Sequence, residues 1–210
     1  GYIGLEFASM MAGFGTEVTV LEHHSQILRF EDDDVAASAR DLLERRGVRI
    51  VTGAAIHEVS TMGGGARVSY SVDDRTAVAD GDTILVALGR VPDTAGLGLD
   101  TAGIRTASSG AVVVDEFLRT SLPNVYAVGD VNGGPQFTYI SLDDHRIVVD
   151  QLTGAAHPRS TTQRIAVPNC LFLTPPLARV GMTEAEARPI VARIAAELAS
   201  GPEPAPAPGA

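Results

Sequence analysis

Two glycine-rich turns, each with a carboxylate in reach, carry the chemistry that this sequence can be read for. Gly1-Tyr2-Ile3-Gly4-Leu5-Glu6 reads as the back half of a G-x-G-x-x-G turn that opens a helix. In such a turn the glycines let backbone approach a pyrophosphate, and the helix N-terminus receives its negative charge. Glu22, eighteen residues after Gly4, closes an apolar run. A carboxylate there accepts hydrogen bonds from the two hydroxyls of an adenosine ribose and repels a 2′-phosphate, which favours NADH over NADPH. His23, His24 and Arg29 follow; as cations they would soften this preference, while the commoner reading of the two histidines is plain loop. Gly129-Asp130 ends a second apolar run. There glycine admits a ligand to the backbone and the carboxylate accepts from its hydroxyls. The first glycine of the leading turn and its strand would lie ahead of Gly1, and no start methionine is present, so the sequence reads as a piece of a longer protein.

The rest of the chain must position these groups. Its 210 residues are 45% hydrophobic, enough for one large or two small domains with a real core. A net charge of −10 argues against a nucleic-acid partner. It does not argue against a phosphate held by backbone N–H groups. No apolar run has the length of a membrane span, roughly 20 residues. One cysteine, Cys170, excludes an internal disulfide and a cysteine-type metal centre, and a cytoplasmic setting is expected.

The periodicity predicts a helix over residues 3–14, with Ile3, Phe7, Met10, Met11 and Phe14 inward and Gly15 as its stop. A strand is expected from Thr16 to Leu21. A helix then starts in the acidic cluster Glu31–Asp34, with Val35, Ala39, Leu42 and Leu43 inward, and a strand follows at Val48–Val51. Ala55–Met62 and Ala66–Val72 flank Gly63-Gly64-Gly65 as a hairpin. Asp80-Gly81 reads as a turn into Thr83–Leu88, a run apolar on both faces that suits the middle of a covered parallel sheet. Residues 92–110 read as connecting loop, and Ala111–Val114 and Val125–Val128 as strands. A helix is expected from Phe137 to Leu152 with Ile140, Ile147, Val148 and Leu152 inward, then a linker to Thr162 and a strand over Ile165–Leu173. Thr183-Glu184-Ala185-Glu186 is a capping box that opens a helix, and the Pro/Ala/Gly tail from Gly201 to Ala210 is expected to be disordered.

Taken together, Gly-Tyr-Ile-Gly-Leu-Glu-Phe at the start, Ala-Leu-Gly-Arg-Val-Pro at 87–92 and Tyr-Ala-Val-Gly-Asp at 126–130 resemble the pyridine nucleotide-disulfide oxidoreductases. These flavoenzymes include lipoamide dehydrogenase, glutathione reductase and mercuric reductase. Gly133–Asp144 and Leu173–Glu184 are similar to the mercuric-reductase-like branch that includes the reactive-chlorine resistance flavoprotein. The resemblance spans residues 1–187 and implies an α/β fold. It divides the chain into a Rossmann-like NAD-binding domain without its first strand (1–88), the returning part of an FAD-binding domain (89–164), and the start of an α+β dimerisation domain (165–187), after which 188–210 is expected to be a divergent, disordered tail.

The resemblance also implies roles. Gly1, Ile3 and Gly4 form the NAD turn, Tyr2 lies over the flavin and moves when nicotinamide enters, and Glu6 stands near the nicotinamide and flavin N5. Gly89 and Arg90 mark the crossing between domains. Gly129 and Asp130 hold the ribitol chain of FAD, and Phe137 and Thr138 open the helix that faces the flavin. The cofactors implied are FAD and NADH, with NADPH less favoured, in a homodimeric parent enzyme. The family's paired redox cysteines and its C-terminal His-Pro…Glu pair are not in this sequence, so the 210-residue piece is expected to be inactive alone. His157-Pro158 reads as linker and Cys170 as a small buried hydrophobe. Two other readings stand beside this one: a relative without the disulfide, such as an NADH oxidase or a ferredoxin-reductase-like flavoprotein, and a non-catalytic dinucleotide-binding module.

Overall fold

The structure is a computed structural model that describes residues 1–200; of the tail expected to be disordered from 188 onward, 188–200 are helical, continuing the helix Glu184–Ser200, and 201–210 lie outside the described residues. The chain forms a mixed α/β fold in two compact units. One comprises Gly1–Leu88 with the described residues from Pro168; the other is Gly89–Val167.

The first unit is built on helix α1 (Tyr2–Gly13), strand β1 (Thr19–Leu21), helix α2 (Asp33–Arg45) and strand β2 (Arg49–Val51). β1 and β2 pair in parallel, Val20 opposite Ile50. Such a pair needs a crossover, and α2 supplies it. Leu5 and Ala8 of α1, Ala36, Ala39 and Leu43 of α2, and Val48 and Ile50 share one core. Strand β6 (Asn169–Leu171) pairs antiparallel with β7 (Leu177–Arg179), and Leu171 and Leu173 join that same core. Asp32 does not cap its own helix. Its carboxylate accepts the Glu184 N–H at 2.9 Å, at the start of helix α5 (Glu184–Ser200). The expected capping box is present there: Glu186 N–H donates to Thr183 Oγ1 and Thr183 N–H to Glu186 Oε2.

Three antiparallel strands, β3 (Ala55–Met62), β4 (Gly65–Val72) and β5 (Arg75–Gly81), complete the unit. β5 corrects the sequence reading, which placed a turn at Asp80-Gly81. The turn falls instead at Asp73-Asp74, both at positive φ, as a two-residue hairpin loop requires. Asp-Asp is a weaker turn signal than Asn-Gly, so the hairpin is decided by the full ladder that β4 offers. Gly65 is required by close approach, since a Cβ there would stand 2.5 Å from the Gly81 carbonyl oxygen.

Two further expectations fail in this unit. The stripe Ile3, Phe7, Met10, Met11 and Phe14 is exposed, whereas Leu5, Ala8 and Ser9 face the core. Both sets have helical spacing, and periodicity alone does not choose between them. No strand forms over Thr83–Leu88, where Leu85, Val86 and Leu88 are exposed; apolar character suits a central strand, but a strand needs a ladder partner, and none pairs with this run among the described residues.

The second unit contains the short helix α3 (Leu99–Ala102) and the long helix α4 (Thr138–Thr153). The strands expected at Ala111–Val114 and Val125–Val128 reduce to single bridges, Thr106 with Val112 and Arg119 with Tyr126. Ile104, Val112 and Ala127 make a small core, so these runs bury single residues without forming a ladder, and Val128 is exposed. α4 buries Ile140 and Ile147, but Leu152 is exposed. The strand expected over Ile165–Leu173 shortens to β6, with Ile165 outside it and exposed.

Candidate functional site

In the first unit the leading turn and Glu22 come together. α1 begins at Tyr2 with Gly1 as its N-cap and with no side chain capping it, so its first N–H groups are not taken by a local side chain. The main-chain nitrogen of Gly1 lies 3.6 Å from Glu22 Oε2. Glu22 follows β1 and is held there by its own N–H, which donates to the Val51 carbonyl. Its side chain is only 17% exposed. Glu22 Oε1 accepts the His24 N–H at 3.0 Å and the His24 ring Nδ1–H at 2.8 Å. Arg29 donates to His24 Nε2 at 2.8 Å. Because a guanidinium only donates, Nε2 must accept, and the ring hydrogen sits on Nδ1 facing Glu22. Burial works to raise the Glu22 pKa, but the hydrogen bonds from His24 outweigh it and hold the carboxyl below its ordinary range.

Gly4 faces Ala87, whose Cβ lies 3.4 Å from where a Gly4 Cβ would stand, and Ile3 is half exposed. Tyr2 and Glu6 turn to other partners. The Tyr2 hydroxyl donates to Glu31, a buried carboxylate that pairs with Arg179 Nε at 3.0 Å. Burial, then the Glu31 hydrogen bond and charge, push the Tyr2 phenol up to about 12. Glu6 Oε1 accepts the Phe172 N–H at 2.9 Å. Glu31 was singled out in the sequence only as a helix-start carboxylate. Its pairing with Arg179, 148 positions on, has no local signature.

In the second unit a cavity of about 400 Å³ is lined by Arg90, Val128, Gly129, Asp130, Gln136, Phe137, Thr138 and Ser141. Five of the residues expected at a ligand site thus share one opening. Gly89 precedes it at φ +122° and is not among the lining residues. Arg90 Nη1 pairs with Asp130 Oδ2 at 2.9 Å, both side chains partly exposed to the cavity. Phe137 caps α4 and stacks on Tyr139 with ring centroids 5.1 Å apart. Gly129 is required twice over. Its φ is +71°, and a Cβ would stand 3.0 Å from Ser141 Oγ. Gln136 and Ser141 were not found in the sequence, although Ser141 lies one helical turn from Phe137 and faces the same way.

No group of three metal-ligating side chains occurs among the described residues, and no helix of theirs is long and apolar enough to cross a membrane. Cys170 is a free thiol, half buried in β6.

Residues 1–144 match the family model described as pyridine nucleotide-disulphide oxidoreductase. The chain is 49% identical over 188 residues to the probable pyridine nucleotide-disulfide oxidoreductase RclA of Escherichia coli, covering 90% of this chain and 42% of that protein. It is 35% identical to the dihydrolipoyl dehydrogenase of Geobacillus stearothermophilus, covering 90% of this chain and 39% of that one. A solved structure, the Cu(II) complex of the HOCl-induced flavoprotein disulfide reductase RclA from Escherichia coli, superposes with a TM-score of 0.82 at 47% identity, covering 90% of this chain and 42% of that one. The chain therefore spans about two fifths of the length of these relatives.

Proposed function

The chain belongs to the pyridine nucleotide-disulphide oxidoreductase family, and from that premise we propose that it supplies the nicotinamide-nucleotide site and part of the flavin site of an FAD-dependent NADH oxidoreductase. One observation carries the reading: Glu22, largely buried at the end of β1, stands 3.6 Å from the nitrogen of the turn that opens α1. A ribose at that carboxylate places its pyrophosphate on the uncapped helix start. The Asp130 cavity fits a second, hydroxyl-bearing ligand. Its carboxylate accepts from hydroxyls, Arg90 balances the charge, and Gly129 lets the ligand meet backbone. FAD, when bound, accepts a hydride from the nicotinamide and passes electrons onward. The work of this chain would be to bind and orient: Asp130 and Gly129 would hold the flavin's sugar chain, the start of α4 would offer its N–H groups to the flavin, and Glu22 would select the ribose. Tyr2 and Glu6, which the resemblance puts near the nicotinamide, are engaged here by Glu31 and by the Phe172 N–H.

The domain assignment is part of the same proposal: an NAD domain over 1–88, the return of an FAD domain over 89–164, and the start of a dimerisation domain over 165–187, in a homodimer. An acceptor disulfide needs two thiols and this chain carries one cysteine, so the disulfide is not within these residues. The 210-residue chain alone is accordingly expected to show no NADH-dependent turnover. Titration with NADH and NADPH, followed by nicotinamide fluorescence, tests the site. Glu22→Ala is expected to weaken NADH roughly ten-fold, the loss of one or two hydrogen bonds to a charged acceptor, and NADPH far less. Equal losses for the two nucleotides would refute the assignment.

A further inference from the structure

Asp144 is the most deeply buried charged residue described, with no solvent exposure, and it lies outside the cavity that it adjoins. A buried carboxylate is costly unless it is paired and hydrogen-bonded. Both of its oxygens are used. Oδ1 accepts from the Arg164 guanidinium. Oδ2 accepts the Gly129 N–H at 2.6 Å and the Asn132 side-chain amide at 3.2 Å. Arg164 Nε in turn donates to Asp143 Oδ2 at 2.8 Å. Burial works against the charge on Arg164, but its hydrogen bonds to Asp144 and Asp143 outweigh it and raise the guanidinium pKa.

Three separate stretches meet here. Asp143 and Asp144 stand on α4, Gly129 and Asn132 bound the single 3-10 turn Gly129–Asn132, and Arg164 follows a second such turn at Thr161–Gln163. That second turn is itself anchored by a Ser160–Gln163 capping box and by the Thr161 N–H, which donates to the Glu116 carbonyl at 2.9 Å. The Gly129 N–H is thereby held by Asp144, and the room beside its α-carbon is limited by Ser141, whose Oγ would stand 3.0 Å from a Cβ there. The next residue is Asp130, the carboxylate that faces the cavity.

We infer that Asp144, with Arg164 as its counter-ion, is the positioning residue of this ligand site: its charge-assisted bond to the Gly129 N–H sets the direction in which Asp130 is presented. The inference rests on the reading of the Asp130 cavity as a ligand site only for its consequence, not for the device itself. A neutral side chain of the same shape at 144 makes a weaker bond to Gly129 and leaves Arg164 without half of its charge partners. Asp130 then samples more directions, and a hydroxyl-bearing ligand is held less well although no residue touching it has changed.

The test is made on the full 210-residue chain by following the backbone amide of Gly129. Asp144→Asn is expected to move the Gly129 amide proton upfield and to lower its hydrogen-exchange protection about ten-fold or more, while amides at the far end of α4 keep theirs. Arg164→Lys keeps the charge but not the two-pronged contact, so it is expected to move the same amide in the same direction by less. An unchanged Gly129 amide in Asp144→Asn overturns the inference, as does an equal loss of protection throughout Gly89–Val167, which would mark a merely structural role. If Asp144→Asn does not fold, Arg164→Lys decides by the same criterion, and no movement at Gly129 overturns it. Titration with FAD, followed by flavin fluorescence, separates the two readings. Weaker binding in both Asp130→Asn and Asp144→Asn supports positioning and ligand site together. A shifted Gly129 amide with FAD binding unaffected by either variant supports positioning and counts against the flavin reading.

Discussion

The two units of this chain each present a carboxylate beside a glycine turn, and they hold it by different means. Glu22 stands on secondary structure: β1 pairs in parallel with β2, α1 and α2 cover the pair, and short contacts to His24 finish the placement. Asp130 stands on a single 3-10 turn in a unit with almost no ladder. What holds that turn is a buried ionic cluster, Asp144 with Arg164 and Asp143, and a small apolar core. A ladder distributes its hold over many backbone bonds, each worth about 1 kcal/mol net. A buried ion pair concentrates it in a few groups that fail together when one is removed. The first device tolerates damage at any one hydrogen bond, whereas the second is vulnerable at one residue.

That contrast can be broken by substitution. The largest effect is expected from Arg164→Met, which leaves Asp144 buried without its counter-ion. A loss of about 3–5 kcal/mol, confined to the amides of Gly89–Val167, should appear in native-state hydrogen exchange. An equal loss in the first unit would show that the two are not energetically separate. Leu43→Ala, in a side chain with no exposure, should cost the first unit about 2–5 kcal/mol by urea denaturation, because its core and not an ion pair carries it. A cost under about 1 kcal/mol would break the comparison.

Smaller effects sharpen it. One of the four tyrosines, Tyr2, should ionise near 12 in an ultraviolet absorbance titration, and Glu31→Gln should bring it down towards the ordinary value of about 10. No change in Glu31→Gln would leave burial as the whole cause. The folded pKa of Tyr2 is raised, so its contribution is complete below the unfolded value and fades as pH climbs through the folded one. Glu22 has the opposite sign. Its folded pKa is lowered, so the stabilisation is complete above the unfolded value, about 4.3, and is lost as pH falls through the folded value. Glu22→Gln should therefore flatten the acid limb of the first unit's stability curve. An identical limb in the variant would remove His24 as a partner that matters for stability.

How much of this was legible depended on range. α1, α2, α4 and the start of α5 were readable from spacing and caps, because the signals lie within a few residues of the effect. Glu22 and Gly129-Asp130 were readable for the same reason, each closing an apolar run. The third strand of the antiparallel sheet was not, since Arg75–Gly81 gains its state from the β4 ladder. The stripe of α1 was misread because two apolar faces share one period, and only packing into the core shared with β1, α2 and β2 selects Leu5 and Ala8.

The mixed α/β character and the family were readable from residue type and local spacing alone. The partners of Tyr2, Glu6 and Gly129 came from the fold alone: Tyr2 with Glu31, itself paired with Arg179, Glu6 with the Phe172 N–H, and Gly129 with Asp144. Contacts of that kind join residues far apart in the chain. They are set by burial, where an unpaired polar group is too costly to keep, and burial is a property of the folded whole.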